Sequence, residues 1–137
     1  MKLVGASILV AAAALTACSG IPRHETDQQL LARYSSYAGE PVSEIRSYTR
    51  FNSWSPIDNQ HVLIETNVNE AYLLTVDPTC FDLSFATRLG VVSHYSHTIS
   101  SGFDSLRVGR ETCRITEIRP VNYKQMRADL KAQQQKG

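Results

Sequence analysis

The string Leu15-Thr16-Ala17-Cys18 constrains this chain more than any other, because it decides which residues are available to fold. It follows one early lysine, Lys2, and an apolar, uncharged run over residues 3–14. That run is too short to span a bilayer, and a polar stretch with a proline, Ser19-Gly20-Ile21-Pro22, follows it instead of a basic stop-transfer flank. The pattern reads as a secretory signal over residues 1–17 that ends in a lipobox. A leucine three positions before the cysteine, with small or polar residues between, suits a narrow signal-peptidase site. The thiol is required because it receives a diacylglyceryl group before cleavage. Each buried methylene adds about 0.8 kcal/mol, so two or three acyl chains on Cys18 hold a protein at the membrane essentially permanently.

Removing residues 1–17 leaves about 120 residues, enough for one domain with one core. The sequence predicts a lipidated tether over 18–25, one globular domain over 26–121, and a terminal helix with a frayed tail over 122–137. With Cys18 acylated, the three cysteines reduce to Cys80 and Cys113. An exported chain with an even pair and no Cys-x-x-Cys predicts a disulfide, which would stabilise the fold by roughly 3–4 kcal/mol in the chain-entropy model. Basic and acidic residues balance once Lys2 is gone, which argues against nucleic acid as a partner. Residues 107–137 nevertheless hold eight basic side chains against three acidic ones. That end suits a solvated face, or an anionic surface.

The pattern along the chain is mostly β. Thr26 and Gln29 fit a capping box, and Leu30, Leu31, Tyr34 and Ala38 recur at helical spacing, so a helix is expected over 26–38, stopped by Gly39 and Pro41. Residues 46–54 alternate loosely, with Tyr48, Phe51 and Trp54 as bulky members. Residues 61–66 and 71–76 read as a hairpin turning at 67–70. A short helix capped by Asp82 is expected over 82–89, ended by Gly90. A strand over 91–95 and a polar loop over 96–102 follow. A second hairpin pairs 105–108 with 113–118 around Gly109-Arg110-Glu111. In its last strand Cys113 and Ile115 share one face, Arg114, Thr116 and Ile118 the other, and Pro120 ends it. A terminal helix begins at the capping pair Asn122 and Gln125, and its end over 133–137 reads as frayed. The fold class is therefore mainly β with short helices (α+β): a small antiparallel sheet or partly closed barrel, flanked by N- and C-terminal helices and tied by one disulfide.

Four strings carry a resemblance: Tyr37-Ala38-Gly39-Glu40-Pro41-Val42, the stretch Arg50-Phe51-Asn52-Ser53-Trp54-Ser55-Pro56, Asn69-Glu70-Ala71-Tyr72-Leu73-Leu74, and Cys113-Arg114-Ile115-Thr116-Glu117-Ile118-Arg119-Pro120-Val121. With the lipobox, they resemble a domain-of-unknown-function family of small bacterial lipoproteins, over roughly residues 37–121. The resemblance implies a shared fold and the same cysteine pair. It implies no activity and no site residue. By similarity to known lipoproteins, Ser19 rather than aspartate after the cysteine implies the outer membrane, facing the periplasm.

Site chemistry is sparse. Cys80 and Cys113 have a rival reading as a metal or redox pair, which the lack of a Cys-x-x-Cys weakens; His94 and His97, with His61, are candidate metal ligands, but residues three apart on a strand point to opposite faces. Asp82 and Asp104 are candidate paired carboxylates that nothing in the sequence brings together. No Gly-x-Ser-x-Gly, His-Glu-x-x-His or Gly-rich phosphate loop occurs. Trp54 and Tyr72, with Phe51 and Tyr48, form a candidate ligand surface, against the plainer reading of aromatic core. Arg46 and Arg50 read as solvated or paired to glutamates. The sequence thus predicts no catalytic residue, no metal and no cofactor. It predicts a non-catalytic structural or interaction module of the cell envelope, anchored through Cys18 and serving an envelope protein partner. The alternative is a small-ligand or cell-wall binding domain with an aromatic surface. An envelope hydrolase would at minimum need a pocket that brings a histidine or a carboxylate pair together.

Overall fold

The computed structural model describes residues 24–46 and 49–136. The stretch expected to be a signal, Cys18 and most of the expected tether lie outside the described residues, as does Tyr48. Along the chain run α1 (Asp27–Ser36), β1 (Glu44–Ile45), β2 (Ser53–Pro56), β3 (His61–Asn67), β4 (Glu70–Val76), β5 (Leu89–Val92), β6 (Ile99–Ser100), β7 (Ser105–Val108), β8 (Glu111–Val121) and α2 (Tyr123–Gln135). Six strands form one antiparallel sheet in the order β2-β3-β4-β8-β7-β5, curled into a half-barrel, and β1 and β6 form a separate pair. The mainly-β class, the flanking helices and the disulfide match the expectation from sequence.

Strand β8 organises the rest. On one edge it pairs with β4, from Ala71 opposite Val121 to Val76 opposite Ile115. On the other edge its first four residues pair with β7. Beyond β7 that same edge is taken up by other backbone. Ile115 N–H donates to Asp104, Gly102 N–H donates to Ile115, and Val42 and Gly39 N–H donate to Ile118 and Pro120. Two distant segments, 37–45 and 99–104, are thereby laid end to end along one strand. Ser101 N–H closes the seam on the Ser43 carbonyl at 2.9 Å.

The sheet buries both faces. Val62, Ile64, Leu74, Val76, Leu106, Ile115 and Ile118 fill the inner face together with both bridged cysteines. Leu63, Ala71, Leu73 and Val121 point outward, where Leu30, Leu31 and Tyr34 of α1 and Tyr123 of α2 cover them. Burial on both faces explains why β3 reads as an unbroken apolar run instead of an alternating one. The first helix starts as predicted. Thr26 Oγ1 accepts from Gln29 N–H, and the Gln29 side chain accepts from Thr26 N–H.

Several sequence expectations need correction. The expected helix over 82–89 is a single 3₁₀ turn, Leu83–Phe85, without an Asp82 side-chain cap. Glu111 takes the N–H groups of Phe81 and Asp82 instead, and Leu89 is drawn into β5 opposite Val108. Gly90 therefore lies within a strand and ends no helix. The loop over 96–102 contains β6, which pairs with β1. Ile118 belongs with Cys113 and Ile115 on the core face, because the β4–β8 register slips at Thr116 and shifts the alternation by one residue. Thr116 Oγ1 donates to Thr75 O at 3.2 Å there.

Pro120 does not end β8. It sits opposite Tyr72, its carbonyl accepts from Gly39, and its missing N–H costs the β4 ladder nothing, since that side faces the 37–42 segment. The helix α2 runs on to Gln135. Its Met126 is buried, and Asp129 holds the Tyr37 hydroxyl at 2.7 Å.

Candidate functional site

Trp54 and Tyr72 face the same side of the sheet, each opposite Ile64 from a neighbouring strand. Both are half-buried and packed on the inner core. The Tyr72 hydroxyl donates to Glu70, and burial first, then that carboxylate, pushes the phenol up to about 12. Trp54 lines a groove with Arg50, Phe51 and Asn52. Arg46 pairs with Glu44.

The histidines do not converge. His61 Nδ1 lies 2.8 Å from Asp58, in the turn between β2 and β3 whose N–H groups the same aspartate caps. Asp82 and Asp104 line different cavities and form no carboxylate pair. Among the described residues, three metal-capable side chains converge only at Cys80, Glu111 and Cys113, and the two sulfurs there are bonded to each other. The bridge joins the chain following β4 to the start of β8, with Cα atoms 5.5 Å apart.

A pocket of about 400 Å³ opens where β1, β6 and the flanking turns meet. Ser43 and Glu44 form one wall, and His94 and Tyr95 another. Ser100, Ser101, Phe103 and Asp104 complete it. Asp104 is the one polar side chain fully buried among the described residues. One of its oxygens accepts the N–H of His94 at 2.9 Å and faces that residue's Nδ1 at 2.8 Å; the other accepts the N–H of Ser100 at 2.7 Å. Burial alone would raise its pKa, but the bonds from the His94 ring and the two backbone N–H groups overcome it, and the carboxyl lies below its ordinary value of 3.8.

Asp104 holds Nδ1 of His94, and the ring, two-thirds exposed, lines the pocket. The segment after it turns tightly: His97 has φ +62° and Gly102 φ +80°. Tyr95 and Phe103 stand at the rim, 73% and 75% exposed.

Sequence reasoning missed this site. In the sequence His94 groups with the other histidines and Asp104 with Asp82, and nothing links the two. The available signal was one carboxylate in Gly102-Phe103-Asp104-Ser105, at the mouth of an apolar strand, ten residues after a histidine. The basic C-terminal segment, in turn, does structural work. Arg119 donates to the carbonyls of Gly39 and Ala38, and Arg127 lies over the Tyr123 ring while donating to Val68 O.

Fold and pocket together define a small, disulfide-closed half-barrel domain with a histidine–aspartate pair at its open rim. The chain belongs to a family of unknown function, DUF6491, whose model matches residues 1–137. No curated protein and no solved structure matches it.

Proposed function

We propose that this chain is a lipid-anchored, non-catalytic binding module of the bacterial cell envelope, facing the periplasm from the outer membrane, with the pocket beside Asp104 as its working surface. The carrying observation is the pair of rim aromatics, Tyr95 and Phe103, left in water around a pocket whose floor is locked. Large apolar side chains in the open are tolerated singly, but two at the mouth of one cavity favour contact with a ligand. The binding surface thus moves from Trp54 and Tyr72, which are committed to packing, to Tyr95 and Phe103.

The His94–Asp104 pair meets the minimum requirement of a hydrolase. The Ser101 hydroxyl donates to the Ser43 carbonyl and no hydroxyl is bonded to the His94 ring among the described residues, which supports binding ahead of hydrolysis. The lipid anchor rests on the Leu15-Thr16-Ala17-Cys18 string. The balanced charge of the chain favours a partner other than nucleic acid.

The test is photocrosslinking in living cells, with a benzophenone amino acid introduced at position 103 and, as control, at the exposed Lys131 on α2. Adducts at 103 that are absent at 131 support the reading. Equal yields at both positions, or none at 103, overturn it.

A further inference from the structure

We infer that the pocket beside Asp104 takes a neutral saccharide, with a pyranose face against the Tyr95 or Phe103 ring and its hydroxyls toward His94; this rests on the binding reading above. The argument starts with charge. Among the described residues no lysine or arginine lines the pocket, while Glu44 and Asp104 both do. An anionic ligand would meet the Asp104 carboxylate and a Glu44 whose charge Arg46 already offsets, with no further lysine or arginine among the described lining residues. A cation finds no spare carboxylate either. Asp104 is spent on Ser100 and on both the backbone and ring of His94, and Glu44 is engaged by Arg46. Neutral ligands remain.

The polar groups left to such a ligand are uncharged hydroxyls and the second ring nitrogen of His94. Asp104 on Nδ1 fixes the orientation of that ring, so Nε2 presents one directed hydrogen-bonding position. A purely apolar ligand would bury that nitrogen unpaired, which costs about 1–3 kcal/mol. A purely polar one would leave two aromatic rings in water. A pyranose carries both surfaces: a flat face of C–H groups and an edge of hydroxyls. The volume, about 400 Å³, lies near the small end of ligand sites and suits one or two sugar rings.

The experiment uses full-length protein in a sugar-free zwitterionic detergent. It is titrated with tri-N-acetylchitotriose, maltotriose and cellotriose by ligand-observed NMR and by ¹H–¹⁵N spectra that include the His94 ring. At least one trisaccharide should bind with Kd on the order of 1 mM and shift the His94 ring signals. Tyr95→Ala and Phe103→Ala should each weaken that binding, the stacked ring by roughly tenfold. Val68→Ala, at an exposed apolar residue in the β3–β4 turn, should leave it unchanged. The inference falls if no trisaccharide saturates below about 10 mM, or if binding survives both aromatic variants with spectra showing a folded chain. Adducts at position 103 in cells, without any saccharide binding, would sink the saccharide alone and leave the binding reading standing.

Discussion

Asp104, fully buried, holds His94 by two atoms at once: its Oδ1 lies 2.9 Å from the backbone nitrogen and 2.8 Å from Nδ1. With Oδ2 on Ser100 N–H and its own N–H on Ser100 O, the residue staples both ends of the segment between β5 and β7. One side chain thus fixes the pocket floor and aims the ring that faces the cavity.

Replacing Asp104 with asparagine keeps the shape but turns an N–H donor toward backbone N–H groups. Asp104→Asn should cost about 1–3 kcal/mol in urea unfolding with the disulfide intact. The pH dependence follows from the same bonds. The folded carboxyl is held below 3.8, so its contribution is complete above that value and is lost as pH falls through the lower, folded pKa. Asp77, lowered chiefly by the Thr79 N–H and hydroxyl, adds to the same acid limb. Asp104→Asn should flatten that limb in part; an unchanged acid midpoint would contradict the staple.

The Cys80–Cys113 bridge closes a loop across 33 positions beneath the inner face of the sheet. Replacing both cysteines with alanine should lower stability by about 3–4 kcal/mol in the chain-entropy model. Intact mass under non-reducing conditions should fall two hydrogens short of the reduced chain. Two free thiols after alkylation would refute the bridge.

Lipidation is tested at the acceptor itself. Cys18→Ala should abolish incorporation of a labelled fatty acid and leave a precursor heavier by the uncleaved signal, while the folded domain keeps its unfolding midpoint. Labelling that survives the substitution would remove the anchor from the proposal.

How much of this was legible depends on range. The capping box of Thr26 with Gln29, the N-cap of Asn122 on Gln125 N–H and both hairpins were, because these residues and the runs 61–66 and 71–76 act on neighbours. The fold class followed from them. The slip at Thr116 was not legible: alternation along β8 looks regular until β4 is laid beside it, and only the pairing puts Ile118 in the core. Pro120 misled for the same reason, since whether a missing N–H matters depends on which edge it faces. The helix expected at 82–89 lost to two long-range ties, Glu111 on the preceding backbone and Leu89 on Val108. The site was the least legible part, because its two key residues meet only after segments 37–45 and 99–104 are aligned on β8.

A local prediction separates backbone strain from packing. Gly109, in the β7–β8 turn, has φ +60° and open space where a Cβ would stand. Gly39 has no such φ, and an added Cβ would touch Pro120 Cγ at an ordinary 3.5 Å. Gly109→Ala should therefore cost about 1–2 kcal/mol from conformation alone, and Gly39→Ala should be neutral to slightly stabilising. Chemical denaturation decides it, and equal losses in the two variants would contradict the turn geometry.

The alkaline limb supplies the last test. Tyr72 and Tyr123 are both pushed up to about 12, by burial first and then by hydrogen bonds to Glu70 and Glu65 respectively. Tyr34 and Tyr37 are also raised, Tyr34 chiefly by burial and Tyr37 chiefly by its bond to Asp129. In the unfolded chain these phenols ionise near 10, so stability is complete below that pH and is lost as pH climbs from about 10 toward 12. Phenolate absorbance of the native chain should therefore rise in more than one phase, the upper one coinciding with unfolding. In denaturant it should collapse to one phase near 10. Tyr123→Phe removes the hydroxyl bonded to Glu65 at 2.7 Å and should cost about 1 kcal/mol at neutral pH while weakening the alkaline limb. A native titration in one phase near 10 would mean that α2 does not dock on the outer face of the sheet through Tyr123, and the C-terminal helix would then have to be placed elsewhere.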